Sequence, residues 1–214
     1  WDSPWGVGRP GWHTECSAMS KKTLGLPFDI HGGGRDLIFP HHENEIAQSC
    51  CTSANKEEPD SYAKYWMHNG FVTINGEKMA KSLGNIILVK DLAENFHGEV
   101  IRLALLSSHY RQGLDWNEKV IHQANKLINK LYQIKDDLDD IDVSDTNNLD
   151  AISILMDDLN TPGLITELNR IVKEYNSSSS EREVIKNKLH LIGSVLGILE
   201  DDSFNEVSEE FKNK

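Results

Sequence analysis

The 214 residues include 22 Lys and Arg against 34 Asp and Glu, a net charge of −12, and 38% are hydrophobic. That is enough apolar material for one large domain or two modest ones, while the acidic balance argues against a simple electrostatic binder of nucleic acid. No apolar run approaches the roughly 20 residues of a membrane helix, no signal-peptide pattern is visible, and three cysteines are too few for a disulfide scaffold, so a reduced, cytoplasmic setting is expected. The opening stretch, 1–6, reads as mid-protein sequence. Phe28, Asp29 and Ile30 form a short strand running into a glycine turn at His31, Gly32, Gly33 and Gly34. Pro40 can start a helix carrying His41 to Ser49. Phe71 to Ile74 reads as a β-branched strand, with Asn75-Gly76 as the turn after it. Residues 91–108 read as one helix.

Composition changes near residue 118. Residues 1–118 hold 11 basic against 15 acidic residues and seven of the nine histidines; residues 119–214 hold 11 against 19 and only Gly163, Gly193 and Gly197 of the glycines. The first part therefore looks like a site and the second like a scaffold. From Lys119, apolar residues at 120, 121, 124, 127, 128, 131 and 134 follow one helical face. Asp136 to Asp140 reads as a solvated loop or helix end, and 151–159 as a shorter periodic piece. Thr161-Pro162 reads as an N-cap with proline at the first helical position, followed by an apolar face from Leu164 to Tyr175. After a polar linker at 177–180, a third long face runs from Val184 to Leu199. The sum is an α/β part followed by a bundle of three or four antiparallel helices.

Three constellations could carry chemistry. His41 and Glu45 are four apart, which on a helix places an imidazole and a carboxylate on one face. A thiolate from Cys16 would complete a zinc-type set of S, N and O ligands. His42 and Glu43 are rival ligands, Cys50 and Cys51 rival sulfurs, and a surface ion pair is the bland reading. The glycine run after His31 lets backbone approach a ligand closely and can aim N–H groups at an anion, or is simply a tight turn. It is not an esterase oxyanion hole, because the chain has no Gly-x-Ser-x-Gly elbow. Lys78 and Lys81 lie between glycines beyond a strand, where a loop can bring ammonium groups to developing phosphate charge; alone, such lysines are usually just solvated. Trp66, Met67 and His68 read as core and its edge.

Together, residues 11–19, 28–48 and 78–85 resemble the cysteinyl-tRNA synthetases, with weaker matches at 108–111 and 157–162. The resemblance implies a class I Rossmann-type catalytic half followed by an all-α bundle. Its domains would be 1–62, the C-terminal half of the catalytic domain with the zinc ligands; 63–118, the lysine-loop region; 119–200, the helical domain on the tRNA side; and 201–214, a loose acidic tail. It implies zinc held by Cys16, His41 and Glu45 with a fourth cysteine from a preceding segment, and ATP with magnesium as substrate. Lys81, with Lys78, would meet the ATP phosphates, and Trp12, His31, Gly33 and Asp36 would line the cysteine and adenylate pocket. Implied partners are tRNA(Cys), L-cysteine and ATP, with no membrane and a monomeric state. Position 80 is Ala where the family's lysine motif has Ser. The resemblance also implies a fragment that is inactive alone, because the family's His-Ile-Gly-His-type motif has no equivalent here. Runner-up readings are the cysteine ligase of mycothiol synthesis, a non-catalytic tRNA-binding fragment and a zinc hydrolase.

Overall fold

The computed structural model describes residues 1–52, 61–144, 149–178, 180–200 and 204. The chain divides into two compact units, Trp1–Phe71 and Val72–Lys214. The division falls between the two boundaries suggested by sequence at 62 and 118; the compositional change at 118 coincides instead with the start of the longest helix.

The first unit contains helix α1 (Trp12–Thr23), strand β1 (Phe28–Gly34), helix α2 (Glu43–Thr52) and strand β2 (Ala63–Asn69). β1 and β2 pair in parallel, so they need a crossover, and α2 lies between them in the chain. The glycine run is not a turn. Gly32, Gly33 and Gly34 continue β1 opposite Met67, His68 and Asn69; a parallel partner strand satisfies their backbone groups, which a lone glycine stretch could not do. The helix expected from Pro40 is present: Pro40, His41 and His42 form a wide helical turn that leads directly into α2 at Glu43. Phe39 before the proline is extended (φ −134°, ψ 132°), as the proline ring demands of its predecessor. Phe28, Tyr62 and Ala63 form the small apolar core, with Leu26, Ile46 and Trp66 packed on it.

The second unit begins with a three-stranded sheet. Strand β3 (Val72–Ile74) pairs antiparallel with β4 (Glu77–Lys78) and parallel with β5 (Leu114–Trp116). The Asn75-Gly76 turn between β3 and β4 has both residues at positive φ, 49° and 81°. That is the two-residue hairpin geometry for which this dipeptide is preferred. The single helix expected over 91–108 is two: α3 (Val89–Ala93) and α4 (Gly98–Leu106). The break arises because His97 caps α4, its Nδ1 accepting from the Glu99 N–H at 3.2 Å.

The helices α5 (Glu118–Asp137), α6 (Leu149–Met156), α7 (Thr161–Ser177) and α8 (Arg182–Leu196) follow. The apolar periodicity of α5 is buried as read, with Ile121, Ala124, Leu127, Ile128, Leu131 and Ile134 all inside. They join buried residues of α4, α7 and α8 in one large core. α7 is capped by Asn160, whose side chain accepts from the Gly163 N–H at 2.9 Å, rather than by Thr161. The Thr161 hydroxyl instead donates to Leu106 O at 2.8 Å. A cap of this kind contributes about 1 kcal/mol. α8 ends at Gly197 (φ 65°), with Ile198 N donating to Gly193 O at 2.9 Å, the Schellman closure that favours glycine. Of the tail expected at 201–214, only Phe204 is described. It is buried and stacks on Tyr132 with ring centroids 4.0 Å apart. No helix among the described residues is long and apolar enough to cross a membrane.

Candidate metal centre and lysine loop

The candidate metal centre belongs to the first unit and is built around one carboxylate. Glu45 is wholly buried, two residues into α2. Burying a carboxylate costs several kcal/mol unless charge or hydrogen bonds compensate, so its surroundings decide what it does. Tyr62 OH donates to Oε2 at 3.1 Å, and His31 Nε2 lies 2.9 Å from the same oxygen. His41 Nε2 lies 2.7 Å from Oε1, yet outside the direction of an N–H bond, so this buried oxygen accepts no hydrogen bond.

Cys16 arrives from α1. Thr14, Ser17 and Gln48 tie that helix to α2: Ser17 Oγ donates to Gln48 Oε1 at 3.0 Å, and Gln48 Nε2 donates to Thr14 Oγ1 at 3.1 Å. The ligand atoms of Cys16, His41 and Glu45 then lie within 4.8 Å of one another, as do those of His31, His42 and Glu45. Trp12 stands one turn before Cys16 on the same helix face and covers His41, with ring centroids 4.0 Å apart. The rival sulfurs are engaged elsewhere or outside: Cys50 Sγ is 3.2 Å from Ser61 Oγ, and Cys51 is exposed.

An S, N and O set with a buried, unsatisfied carboxylate oxygen fits a divalent cation of the zinc type. Without a cation, burial pushes the Cys16 thiol up, and the Glu45 charge adds to this. A bound cation reverses that balance, because a ligating cysteine is a thiolate.

Imidazoles cluster beside the carboxylate in edge-on and tilted contacts. His42 Nδ1 and His68 Nε2 are hydrogen-bonded at 2.8 Å. Burial, then the neighbouring His31, His68 and His41, pushes His42 down to about 4. His31 is also lowered, by burial first, and burial pushes Tyr62 up to about 12. Burial thus disfavours the charged forms of His31, His42 and Tyr62 beside the buried carboxylate. Gly33 has a packing reason here. A Cβ on it would stand 2.9 Å from His42 Cε1 and 3.1 Å from Leu37 Cδ1, closer than packed atoms approach.

The sequence-derived residues fall into two groups. Trp12, Cys16, His31, Gly33, His41 and Glu45 are brought together in the first unit. Asp36 is exposed in a short turn after β1. Lys78 and Lys81 belong to the second unit. Lys78 closes β4, and Lys81 opens a tight turn that ends at Gly84 (φ 63°). Sequence reasoning missed Tyr62 as a partner of Glu45 and His68 as a partner of His42. It treated Trp66 and His68 as core and edge. The available signal was their two-residue spacing, which puts both on one face of β2, opposite His31 and Gly33 of β1.

Comparison with known proteins decides the family. Residues 1–126, more than half of the chain, match the family model described as tRNA synthetases class I (C) catalytic domain. The chain belongs to this class I synthetase family. A Cysteine–tRNA ligase of Pelagibacter ubique is 50% identical over 214 residues, covering 100% of this chain and 45% of that protein. A Cysteine–tRNA ligase of Ehrlichia ruminantium strain Gardel is 51% identical over 212 residues, covering 93% of this chain and 44% of that protein. The chain thus spans a little under half the length of these relatives. Among solved structures, the LeuRS of Agrobacterium radiobacter K84, in a ternary complex with tRNA and LeuAMS, superposes with a TM-score of 0.57 at 17% identity. That match covers 81% of this chain and 25% of that one, and it supports the class I synthetase α/β fold.

Proposed function

We propose that this chain supplies the C-terminal part of the catalytic domain and the following helices of a cysteine–tRNA ligase, which activates L-cysteine with ATP and transfers it to tRNA(Cys). The observation that carries the reading is the meeting of Cys16, His41 and Glu45 ligand atoms within 4.8 Å around an unsatisfied buried oxygen. These three side chains would hold zinc. Bound there, zinc supplies ligand chemistry that prefers the softer, more readily deprotonated sulfur of cysteine to the hydroxyl of serine. A purely apolar pocket discriminates weakly between such similar side chains.

The chain's own residues do the rest. Tyr62 orients the Glu45 carboxylate by hydrogen bonding, and His31 stands against the same oxygen at 2.9 Å. Trp12 shields His41 from water and, with His31, Gly33 and Asp36, lines the side where cysteine and its adenylate would lie. Activation is an in-line attack of a cysteine carboxylate oxygen on the α-phosphate of magnesium–ATP that forms cysteinyl adenylate as the α–β P–O bond breaks and pyrophosphate leaves, with charge spread over the phosphate oxygens. Lys81, with Lys78, stabilises that charge from the lysine loop. The two ~50% identical relatives, both Cysteine–tRNA ligases, support the substrate assignment.

The test is cysteine-dependent ATP–pyrophosphate exchange, followed by charging of tRNA(Cys), in the full-length protein. Both activities are expected, with serine strongly rejected. Lys81→Ala should lower the exchange rate by about 10²–10³, the scale for one preorganised donor. Transfer of cysteine to an amino sugar in place of tRNA would overturn the reading.

A further inference from the structure

Asp115, on β5, makes no contact that the chemistry proposed above uses, yet it is the hub of the turn from which the lysine loop springs. Its Oδ1 accepts from the Gly76 N–H at 2.6 Å and from Thr73 Oγ1 at 2.8 Å. Its Oδ2 accepts from Asn117 Nδ2 at 3.0 Å. These same donors hold the carboxyl below the usual range, the Gly76 N–H most strongly. Asn117 is fixed in turn, because its Oδ1 accepts from Val120 N at 3.1 Å and caps the 20-residue helix α5. A chain of hydrogen bonds therefore runs from the rigid helix α5 through Asp115 to the Asn75-Gly76 turn. β4 and Lys78 follow that turn directly.

The far end of the loop is clasped as well. Asn85 Oδ1 accepts from the Ala80 N–H at 2.9 Å, and Asn85 Nδ2 donates to Lys78 O at 3.2 Å. Lys81 sits inside this closed segment with its side chain exposed. Position 80 contributes its backbone N–H to the clasp, so Ala serves there as well as a larger residue.

We infer that Asp115 is a positioning residue for the lysine loop: by anchoring the β3–β4 turn to the start of α5, it fixes where Lys81 meets phosphate, with Asn85 closing the other end. The inference rests on the reading of Lys81 as a phosphate-facing lysine. Misplacing a charge-stabilising group by about 1 Å can cost up to 10²-fold in rate, so the anchor acts on turnover and not on cysteine recognition.

The experiment compares Asp115→Ala and Asp115→Asn in the full-length protein. Asp115→Ala should lower kcat of cysteine-dependent ATP–pyrophosphate exchange about 10- to 100-fold. The KM for cysteine and the zinc content should stay at the wild-type values. Asp115→Asn keeps an acceptor for Gly76 and Thr73 but sets an amide against Asn117, so it should recover most of the lost rate. Hydrogen exchange over 75–85 gives a readout independent of activity. The Gly76 and Ala80 amides should exchange faster in Asp115→Ala, while α5 and α7 stay protected. A kcat within twofold of wild type, a rise in the KM for cysteine matching the loss of rate, or unchanged exchange at Gly76 would overturn the inference. Absence of pyrophosphate exchange in the wild-type protein would sink the functional reading instead, and the exchange of Gly76 would still decide whether Asp115 anchors the turn.

Discussion

Among the described residues each unit buries one glutamate, and the two are treated in opposite ways. Glu99, in the first turn of α4, is saturated: Oε2 accepts from Leu199 N at 2.8 Å and Tyr132 OH at 3.0 Å, and Oε1 accepts from Glu200 N at 3.1 Å. It sits beside a core of 26 buried apolar residues among those described. Glu45 sits where, among the described residues, three apolar residues form the buried cluster, and its Oε1 accepts no directed hydrogen bond. A buried polar group left unsatisfied costs about 1–3 kcal/mol, and more when charged. The second unit removes that cost with fixed donors. In the first unit Oε1 faces His41 Nε2 at 2.7 Å without a directed hydrogen bond, a position a cation could fill. The contrast separates a carboxylate saturated by fixed donors from one whose open oxygen could take a ligand.

The sharpest way to break this contrast is to delete ligands. In the full-length protein, Cys16→Ser and Glu45→Ala should each lower zinc affinity by more than about 10²-fold, since even partners of metal ligands are worth 10–100-fold. Far-UV circular dichroism should be unchanged. Elemental analysis checks it, and stoichiometric zinc in Cys16→Ser would return Cys50 or Cys51 as the sulfur. The converse variant, Glu99→Ala, should leave zinc uptake alone and destabilise the second unit by about 2–4 kcal/mol, because Leu199 N–H and Tyr132 OH lose their acceptor inside the core. Thermal unfolding measures it, and an unchanged midpoint would mean that water replaces the carboxylate.

A smaller effect is expected at Gly33. An alanine there must displace His42 or Leu37, at a cost of about 1–3 kcal/mol. Pairing Gly33→Ala with His42→Ala should relieve part of that cost. Strictly additive stability losses would show that the ring is not what the glycine accommodates.

The smallest effect concerns an exposed carboxylate, the third way this chain treats an acid. Asp158 accepts from Arg111 Nε and Nη2 and from Tyr110 OH at 2.6 Å. The Arg111 hydrogen bond first, then Tyr110, holds it down at about 2. A carboxyl depressed below its ordinary value of ~3.9 stabilises the fold above that value and loses the contribution as pH falls through about 2. The clasp should therefore be intact at pH 5 and released progressively below pH 4. The Arg111 Nε–H resonance should report this in an NMR titration. Asp158→Asn should flatten the response, and a midpoint near pH 4 would show that the pair carries no mutual stabilisation.

Local pattern determined a large share of this molecule. The apolar faces of α5, α7 and α8 follow from 3.6-residue periodicity, because each buries one stripe in a shared core. The Asn75-Gly76 hairpin follows from the backbone freedom of those two residues. The His41–Glu45 pair follows from helical spacing, because the wide helical turn that carries His41 runs straight into α2. What spacing could not decide was which sulfur and which histidines join them. Cys16, Cys50 and Cys51 are chemically alike in sequence, and only the docking of α1 on α2 through Ser17 and Gln48 places Cys16 beside His41 and Glu45. Tyr62 and His68 lie 17 and 26 residues from the side chains they bond, and only the parallel register of β1 and β2 brings them there. The glycine run read as a turn because glycine usually breaks strands. β2 supplies the backbone partners that let it continue, and the His42 ring takes the space that a side chain would need. Periodicity is written along the chain; the closing of a site depends on contacts between distant segments, and those exist only once the sheet and helices have packed.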